Sequence, residues 1–507
     1  MRVSYCSWIA YSVGISEAFV IDVDRLFPLL EDPAASLTRR QPPLTEVASD
    51  QVFELARAWL NDCEENHTKC SRSNFIPKLP TYVVDVSPPS SSGIARLYKP
   101  AEGERAKYLC LSYCWGTTGQ ATTTQTTLKA FLQELPISRL GLTIQDAIET
   151  TRRLGFQYLW VDALCIVQDD STQKHVEIKA MSHTYKNATA VICAAAASAS
   201  SDGFLRMDRG IYKPSPPLPF EFQVDLPGDV TGNLTLVQAE KFDQVDPLDK
   251  RAWALQETLL SARKFVFSSA ELLVECREHN RRAFRESYIN YAAHVYNSVP
   301  AISTWNWNTV DCTNRWFKLL VEYSQRSLTD RNDRLDAFQG IADEIQELSG
   351  KPVRYGIPEF ASATPAWRTT MPALTRSDRA PSWSWGCLDS HVQFTDHAYY
   401  KSKATIRFPS DDESKMGLTA CMISGADWTR SLDRDTTWWP DLTVGLPRPL
   451  SRFYLLLGYW NGNGDSNADD GLVLESVGDG VYRRTGAFMT KAFQGSWPAQ
   501  PQEITLV

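Results

Sequence analysis

The sequence offers little basic charge to a polyanionic partner. Its 507 residues contain 52 Lys and Arg against 60 Asp and Glu, so the net charge at pH 7 is −8. No run of basic residues stands out, which argues against nucleic acid as the main partner. No apolar stretch approaches the ~20 residues that a membrane-spanning helix needs, and we expect no membrane span.

Several signatures of common enzyme classes are missing. The sequence has no phosphate-binding P-loop, no G-x-S-x-G hydrolase motif and no internal repeat of about 20–50 residues. Histidine is scarce, with seven residues, and the eleven cysteines follow no disulfide framework, as expected for free thiols in a reducing compartment. The start of the chain lacks a basic flank and carries Glu17 and Asp22. It is therefore a poor secretory signal, and we expect a cytoplasmic protein.

The stretch from residue 108 to residue 170 organises the rest of the chain. A short apolar run, Tyr108–Ser112, predicts a strand. Apolar residues at helical spacing then predict a helix that begins at Thr143, with Asp146 placed for a capping box, and ends at Gly155. The segment Tyr158–Val167 is apolar on both faces, as in a central parallel strand that helices cover.

Such a strand–helix–strand crossover is almost always right-handed and makes its two strands parallel. Their carboxyl ends then lie at the same edge of the sheet, where ligands bind in open α/β folds. We therefore expect Tyr113–Gly116 and Asp162–Asp170 to share one crevice. A Thr-rich loop between Gly116 and Thr143 is either a lid over this crevice or a solvated excursion.

Four motifs give the chain a family resemblance: LSYCWG, WVDALCIVQDD, E-x-x-x-M-x-x-x-Y-x-N-A from Glu177, and RAWALQE. In this order they resemble the fungal heterokaryon-incompatibility (HET) domain, over about Leu79 to Cys276. The resemblance implies a protein of the self/non-self recognition or cell-death type. The order strand, helix, strand, then a helix with a glutamate is also similar to Toll/interleukin-receptor (TIR) domains.

The TIR resemblance implies a reaction. Enzymatic TIR domains cleave the nicotinamide–ribose bond of NAD with one glutamate at the start of a helix, and Glu177 is the position that matches. NAD is then a substrate, and the resemblance implies no certain cofactor. A carboxylate on the ribose hydroxyls would stabilise the oxocarbenium character that develops, and Trp115 or Trp160 would stack on a ring.

The candidate catalytic residues are Glu177, Asp162 and Cys114. On a helical wheel, Glu177 lies beside the apolar face of its predicted helix and His183 lies nearly opposite, which favours the glutamate as the residue that reaches the crevice. Asp162 either acts in acid/base chemistry or binds loop amides, and Asp169 and Asp170 are expected to cap the next helix.

Cys114 follows a strand and is the rival nucleophile, but a thiolate needs a base such as histidine. A polar pair beside Trp253 in the RAWALQE helix forms either interior hydrogen bonds or a pocket wall. The residues that we expect to bind a substrate are Tyr113, Trp115, Gly116, Gln168, Asp169, Trp253, Gln256 and Glu257.

Cys63, His67 and Cys70 form a Cys-x3-His-x2-Cys pattern that suggests zinc. No fourth ligand lies nearby in the sequence, so we interpret the three residues as structural and expect no metal.

The fold class that we predict is α/β, a mostly parallel sheet with flanking helices that is distantly TIR-like, plus a β-rich C-terminal region. The expected divisions are an N-terminal segment and linker (1–45), the HET domain (46–280), a helical region (281–379) and the β-rich region (380–507). Most of the sixteen tryptophans should pack in cores.

Three hypotheses for the function remain open. The first is a self/non-self or cell-death protein with NAD-cleaving activity. The second is a non-catalytic module that acts through self-assembly or a protein partner. The third is a secondary-metabolism enzyme whose small organic substrate occupies the same crevice, and it predicts a pocket of several hundred Å³ lined by tryptophan and apolar groups.

Overall fold

The fold is known from a computed structural model, which divides into two compact units. The described residues are 26–28, 33, 46–70, 75–86, 94–117, 119–207, 220–226, 230–236, 245–269, 272–278, 302, 305, 310–361, 364–394, 400–430, 436–443, 451–461, 467–491 and 497–507. The first unit comprises residues 1–249 and 261–297, and the second comprises residues 250–260 and 298–507. Most of the predicted N-terminal segment and linker lies outside the described residues.

The first unit is built on a seven-stranded sheet of order β10-β9-β6-β4-β5-β2-β3. Its four central strands, β9, β6, β4 and β5, run parallel, and each edge carries antiparallel strands. A separate small sheet has the order β1-β8-β7. The strands are β1 Leu26–Pro28, β2 Val83–Asp85, β3 Arg96–Tyr98, β4 Tyr108–Ser112, β5 Tyr158–Trp160, β6 Ala190–Cys193, β7 Phe220–Leu226, β8 Val230–Leu236, β9 Arg263–Phe267 and β10 Leu272–Cys276.

The helices of this unit connect the sheet strands. They are α1 Asp50–Asn66, α2 Leu128–Phe131, α3 Leu142–Arg153, α4 Asp162–Cys165 and α5 Ser171–Asn187. Helix α3 joins β4 to the parallel β5, which confirms the predicted crossover. Every residue of β4 is buried, as expected for a strand that has neighbours on both sides and helices over its faces.

Two local predictions were wrong. The strand expected over Tyr158–Val167 ends at Trp160, and α4 follows. The expected capping box at Thr143 does not form, since α3 begins at Leu142 and no side chain caps it. Instead, Gly203 donates its backbone N–H to the Thr143 hydroxyl at 3.2 Å, and Phe204 donates its N–H to Asp146 at 2.7 Å. Both side chains therefore hold a distant loop.

The second unit has its own core, and helix α6, Ala252–Leu260, belongs to it. Its large sheet has the order β15-β20-β21-β22-β23-β17-β16, with β18 on β20 and β19 on β22, and this confirms the predicted β-rich C-terminal region. The remaining helices are α7 Val310–Gln325, α8 Asp336–Ser349 and α9 Gly425–Arg430. The strands are β11 Val353–Arg354, β12 Ile357–Pro358, β13 Arg368–Thr369, β14 Val392–Gln393, β15 Tyr400–Ser402, β16 Thr405–Arg407, β17 Met416–Ala420, β18 Met422–Ser424, β19 Thr436–Pro440, β20 Arg452–Asn461, β21 Asn467–Gly478, β22 Val481–Lys491 and β23 Gln502–Leu506.

Tryptophans supply much of this second core, as predicted. Trp316 and Trp385 each pack edge-to-face on Phe338, with ring centroids 5.4 Å apart, a geometry that aromatic quadrupoles favour. Trp367 and Trp383 are also fully buried.

A buried ion pair joins the tryptophan core to the sheet. The Arg484 side chain is 0% exposed and donates to both carboxylate oxygens of Asp441, at 3.1 and 2.9 Å. It also donates to the carbonyls of Pro365 and Trp367, and its guanidinium lies 3.3 Å from the Trp367 ring centroid. The arginine is therefore hydrogen-bonded on several sides, as a buried charge requires.

Of the helices in the described ranges, none combines the length and the apolar character that crossing a bilayer would need.

Candidate functional site

The carboxyl ends of β4 and β5 meet, as the sequence predicted. The indole N–H of Trp115, three residues after β4, donates to a carboxylate oxygen of Asp162 at 2.7 Å. The other oxygen of Asp162 accepts the N–H of Ala163 at 2.7 Å, at the start of α4. Asp162 is half-buried, and its contact with the indole N–H orients Trp115.

The Thr-rich loop is fastened along the segment that follows β5. Thr123 is fully buried; its N–H donates to the Ala163 carbonyl at 3.0 Å and its hydroxyl to the Leu164 carbonyl at 2.6 Å. Gln168 donates its N–H to the Thr123 carbonyl at 2.8 Å. Sequence reasoning missed Thr123, because a run of threonines does not indicate which one is buried.

On the other side of β4, a loop of small residues approaches the strand end closely. Gly116 has φ +79°, and a Cβ built there would lie 2.5 Å from the Cβ of Ala199. Ser200 donates its N–H to the Trp115 carbonyl at 3.2 Å. Asp202 closes this loop by accepting bonds from Ser198, whose hydroxyl lowers the pKa of the Asp202 carboxyl. Gly116 is therefore needed for conformation and for space.

The other polar residues near β5 bind the loops around them. The side-chain amide of Gln168 donates to the carbonyls of Asp162 and Ile166, both at 3.1 Å. Asp169 accepts the N–H of Gln125 at 2.8 Å. Asp170 caps α5 by accepting the N–H of Gln173 at 3.0 Å. The predicted capping role is thus confirmed for Asp170, whereas Asp169 holds the Thr-rich loop.

Glu177 is the most deeply buried of these acidic residues. Its side chain lies on α5, and the residue is 6% exposed. Burial raises the pKa of the Glu177 carboxyl, and a hydrogen bond with the Thr81 hydroxyl opposes the rise. Thr81 precedes β2, which runs antiparallel to β5, so it lies at the edge where β5 ends. His183 is exposed on the same helix, in agreement with the helical wheel.

The cysteines at this edge are buried. Cys114 is 6% exposed, and the two histidines that α5 carries, His175 and His183, are both exposed. Burial raises the pKa of the Cys165 thiol, and the charges of Glu177 and Asp162 raise it further. Cys165 is thus a protonated core thiol that lies near both carboxylates.

Two of the aromatic candidates, Tyr113 and Trp160, are buried and contact other side chains of the protein. Tyr113 is buried, and its hydroxyl accepts the side-chain N–H of Gln120 at 2.8 Å. Trp160 packs edge-to-face on Tyr185 with ring centroids 5.5 Å apart, and because it is only 1% exposed it is not open to a stacking ligand. Trp115, which is half-buried, keeps that potential.

The RAWALQE residues lie on α6 and make contacts in the second unit. The indole N–H of Trp253 donates to Asp333 at 3.2 Å. The Gln256 side chain accepts the N–H of Gly340 at 2.8 Å, which fastens α6 to α8. Glu257 is 2% exposed. Trp253 and Gln256 thus make hydrogen bonds inside the second unit, which is one of the two interpretations of this motif from the sequence.

A cavity of about 520 Å³ also belongs to the second unit. Charged and polar residues dominate its lining, among them Arg376, Ser377, Asp378, Ser382, Glu475 and Arg483. It is not the tryptophan-lined pocket beside Cys114 that the metabolic hypothesis anticipated.

The first unit is therefore an α/β fold with carboxylates and tryptophan at the carboxyl edge of its parallel strands. Residues 108–257, from the start of β4 to Glu257 on α6, match the family model described as Heterokaryon incompatibility protein (HET). This stretch of the chain is therefore similar to a heterokaryon incompatibility (HET) domain. Comparisons with curated proteins and with solved structures gave no match.

Proposed function

We propose that the first unit hydrolyses the nicotinamide–ribose bond of NAD, and that this reaction serves self/non-self recognition or cell death. The observation that carries the proposal is the burial of Glu177 on α5, the second helix after β5. Its carboxyl group has a raised pKa, and such groups concentrate at functional sites. The resemblance to enzymatic TIR domains supports the proposal, because these use one glutamate at the start of a helix and Glu177 is the position that would match in the order of elements.

The reaction suits a buried carboxylate. The bond between ribose C1′ and the nicotinamide nitrogen breaks, and its electron pair leaves with nicotinamide. Water adds its oxygen to C1′ and releases a proton to solvent. Positive charge develops on the ribose during bond cleavage, and the ionised Glu177 would stabilise it more strongly in a low-dielectric site than in water.

The neighbouring residues have supporting roles in this proposal. Trp115 would stack on one ring of the dinucleotide, and Asp162 would hold the indole through their 2.7 Å hydrogen bond. Cys114 would line the site without acting as a nucleophile. A thiol nucleophile needs a nearby base such as histidine, and the two histidines of α5 are exposed.

The test is nicotinamide release from NAD by the purified full-length protein. The parent should turn over, and Glu177→Gln should lower the rate by at least ~100-fold, the usual loss when one transition-state stabiliser is removed. Glu134→Gln, which changes an exposed glutamate of the same unit, should keep the parental rate. Equal rates for parent and Glu177→Gln would remove Glu177 from the mechanism, and no release by the parent would remove the hydrolase proposal.

A second candidate function is a non-catalytic module that acts through assembly. It is favoured by the hydrogen bonds that Asp162, Gln168 and Asp169 make with groups of the surrounding loops. These polar side chains hold the loops at the carboxyl edge of the sheet in place. This candidate expects concentration-dependent oligomers in light scattering, and Glu177→Gln should leave that association unchanged.

A further inference from the structure

Four buried residues with metal-binding side chains lie together in the first unit, away from the carboxyl edge. Cys63 lies in the last turn of α1, His67 caps that helix, and Cys70 follows in the next turn. Cys276, which is 209 positions from His67 in the sequence, is the last residue of β10. One ligand atom from each lies within 4.8 Å of all the others. The fold thus supplies the fourth residue that the local sequence lacks.

The spacing of these atoms fits a tetrahedral ion. Zn–S bonds of about 2.3 Å and Zn–N bonds of about 2.0 Å give S···N edges of roughly 3.5 Å and S···S edges of roughly 3.8 Å in a tetrahedron. The Sγ of Cys276 lies 3.4 Å from Nδ1 of His67. Small movements would bring all four atoms to bonding distance.

The second ring nitrogen of His67 lies near a carboxylate. Its Nε2 lies 3.9 Å from an oxygen of Asp62, which precedes it on α1. A metal-bound histidine commonly donates its other N–H to such a group, which fixes the tautomer and the ring orientation. This arrangement directs Nδ1 toward the three sulfurs.

A buried arginine supplies the matching charge. Arg263 lies opposite Cys276 in the β9–β10 pair, is 6% exposed and donates from Nε to the Sγ of Cys63 at 3.1 Å. It also donates to the carbonyls of Cys70 and Thr189. A divalent ion with three thiolates and a neutral imidazole carries one net negative charge, which the guanidinium would neutralise. Buried charges need such pairing.

We propose that Cys63, His67, Cys70 and Cys276 bind one structural zinc ion. A Cys₃His set that provides all four ligands is typical of closed, structural sites, and sulfur-rich tetrahedral sites select zinc over hard cations. The ion would join the end of α1 to β10, the strand at the edge of the main sheet. Binding would release the thiol protons to solvent.

The test begins with the metal content of the full-length protein, purified with a reductant and without chelator. Elemental mass spectrometry should find one zinc per chain. Cys276→Ser should lose the metal, whereas Cys421→Ser, a partly buried cysteine of the second unit, should retain it. Circular dichroism shows whether each variant is folded.

Two further variants keep the test independent of folding failure. Asp62→Asn leaves all four ligands in place and should weaken zinc affinity by ~10–100-fold, as changes in such supporting carboxylates do. His67→Cys preserves a zinc-competent set and should still bind one ion. In the parent, Co²⁺ substituted for zinc should give the visible bands of tetrahedral thiolate coordination.

Two results would overturn the proposal. One is a folded parent that contains only trace zinc and whose apo form does not take up the ion. The other is a disulfide between two of Cys63, Cys70 and Cys276, which mass spectrometry after alkylation would reveal in protein purified without reductant.

Discussion

Replacing Gly116 with alanine tests the geometry of the crevice directly. Gly116 has φ +79°, and a residue with a Cβ pays about 1–2 kcal/mol for this left-handed conformation. The new Cβ would also lie 2.5 Å from the Cβ of Ala199, and such overpacking costs about 1–3 kcal/mol. The first unit should therefore lose roughly 2–5 kcal/mol of stability.

Hydrogen exchange measures this loss where it occurs. Peptides that cover β4 and β6 should exchange about 30- to 5,000-fold faster in Gly116→Ala, if their slowest amides exchange through unfolding of the unit. Gly119→Ala is the matched control, because a Cβ at Gly119 has no atom within 4 Å, and its effect should stay below about 1 kcal/mol. Parental exchange rates in Gly116→Ala would show that the strand end does not approach the loop at Ala199 in this way.

Two further predictions concern buried charges. Burial raises the pKa of Glu177, so its ionised form destabilises the fold above the unfolded-state pKa of about 4.3. Glu177→Gln should therefore be more stable than the parent at pH 8, and this gain should vanish as the pH falls through the folded-state pKa of Glu177. Urea titrations at several pH values measure the difference in unfolding free energy. A difference that does not change with pH would contradict the prediction. Asp441→Asn should cost the second unit about 3–5 kcal/mol, because it leaves the guanidinium of Arg484 buried without its carboxylate. Hydrogen exchange in β22 measures this cost against Asp411→Asn, which changes an exposed residue, and equal effects of the two variants would refute the reasoning.

The parts of the fold that the sequence predicted correctly are those that local patterns determine. The crossover from β4 through α3 to β5 follows from an apolar run, a helical period and a second apolar run, and the handedness rule then makes the strands parallel. The meeting of Trp115 with Asp162 follows from that topology. Glu177 is buried and His183 is exposed because the helical period separates them on α5.

The errors arise where tertiary contacts compete with local ones. Tyr158–Val167 is continuously apolar, and periodicity alone does not separate a strand from a buried helical turn. A short helix forms after Trp160, and in its first turn the Asp162 carboxylate accepts the N–H of Ala163. Thr143 and Asp146 have capping-box spacing, yet the amides of Gly203 and Phe204 occupy their oxygens.

The cysteine cluster shows the limit of reading spacing alone. Cys63, His67 and Cys70 are close together in the sequence and lie at or just after one helix end. Cys276 reaches them only because β10 pairs with β9 at the edge of the main sheet. Three potential ligands that are close in the sequence become a four-residue set only when the fold brings a fourth beside them. No local signal in the sequence indicated Cys276 as that residue.

The carboxylates near the sheet edge fall into two groups by the partners that hold them. Asp146, Asp162 and Asp170 each accept a backbone N–H at 2.7–3.0 Å, so these side chains hold the local backbone. Glu177 is bonded to a hydroxyl, and burial raises its pKa despite that bond. A carboxylate whose ionised form is disfavoured contributes little to folding at neutral pH. Buried acids with raised pKa values concentrate at functional sites, so Glu177 rather than the aspartates is the residue with which to test the proposed function first.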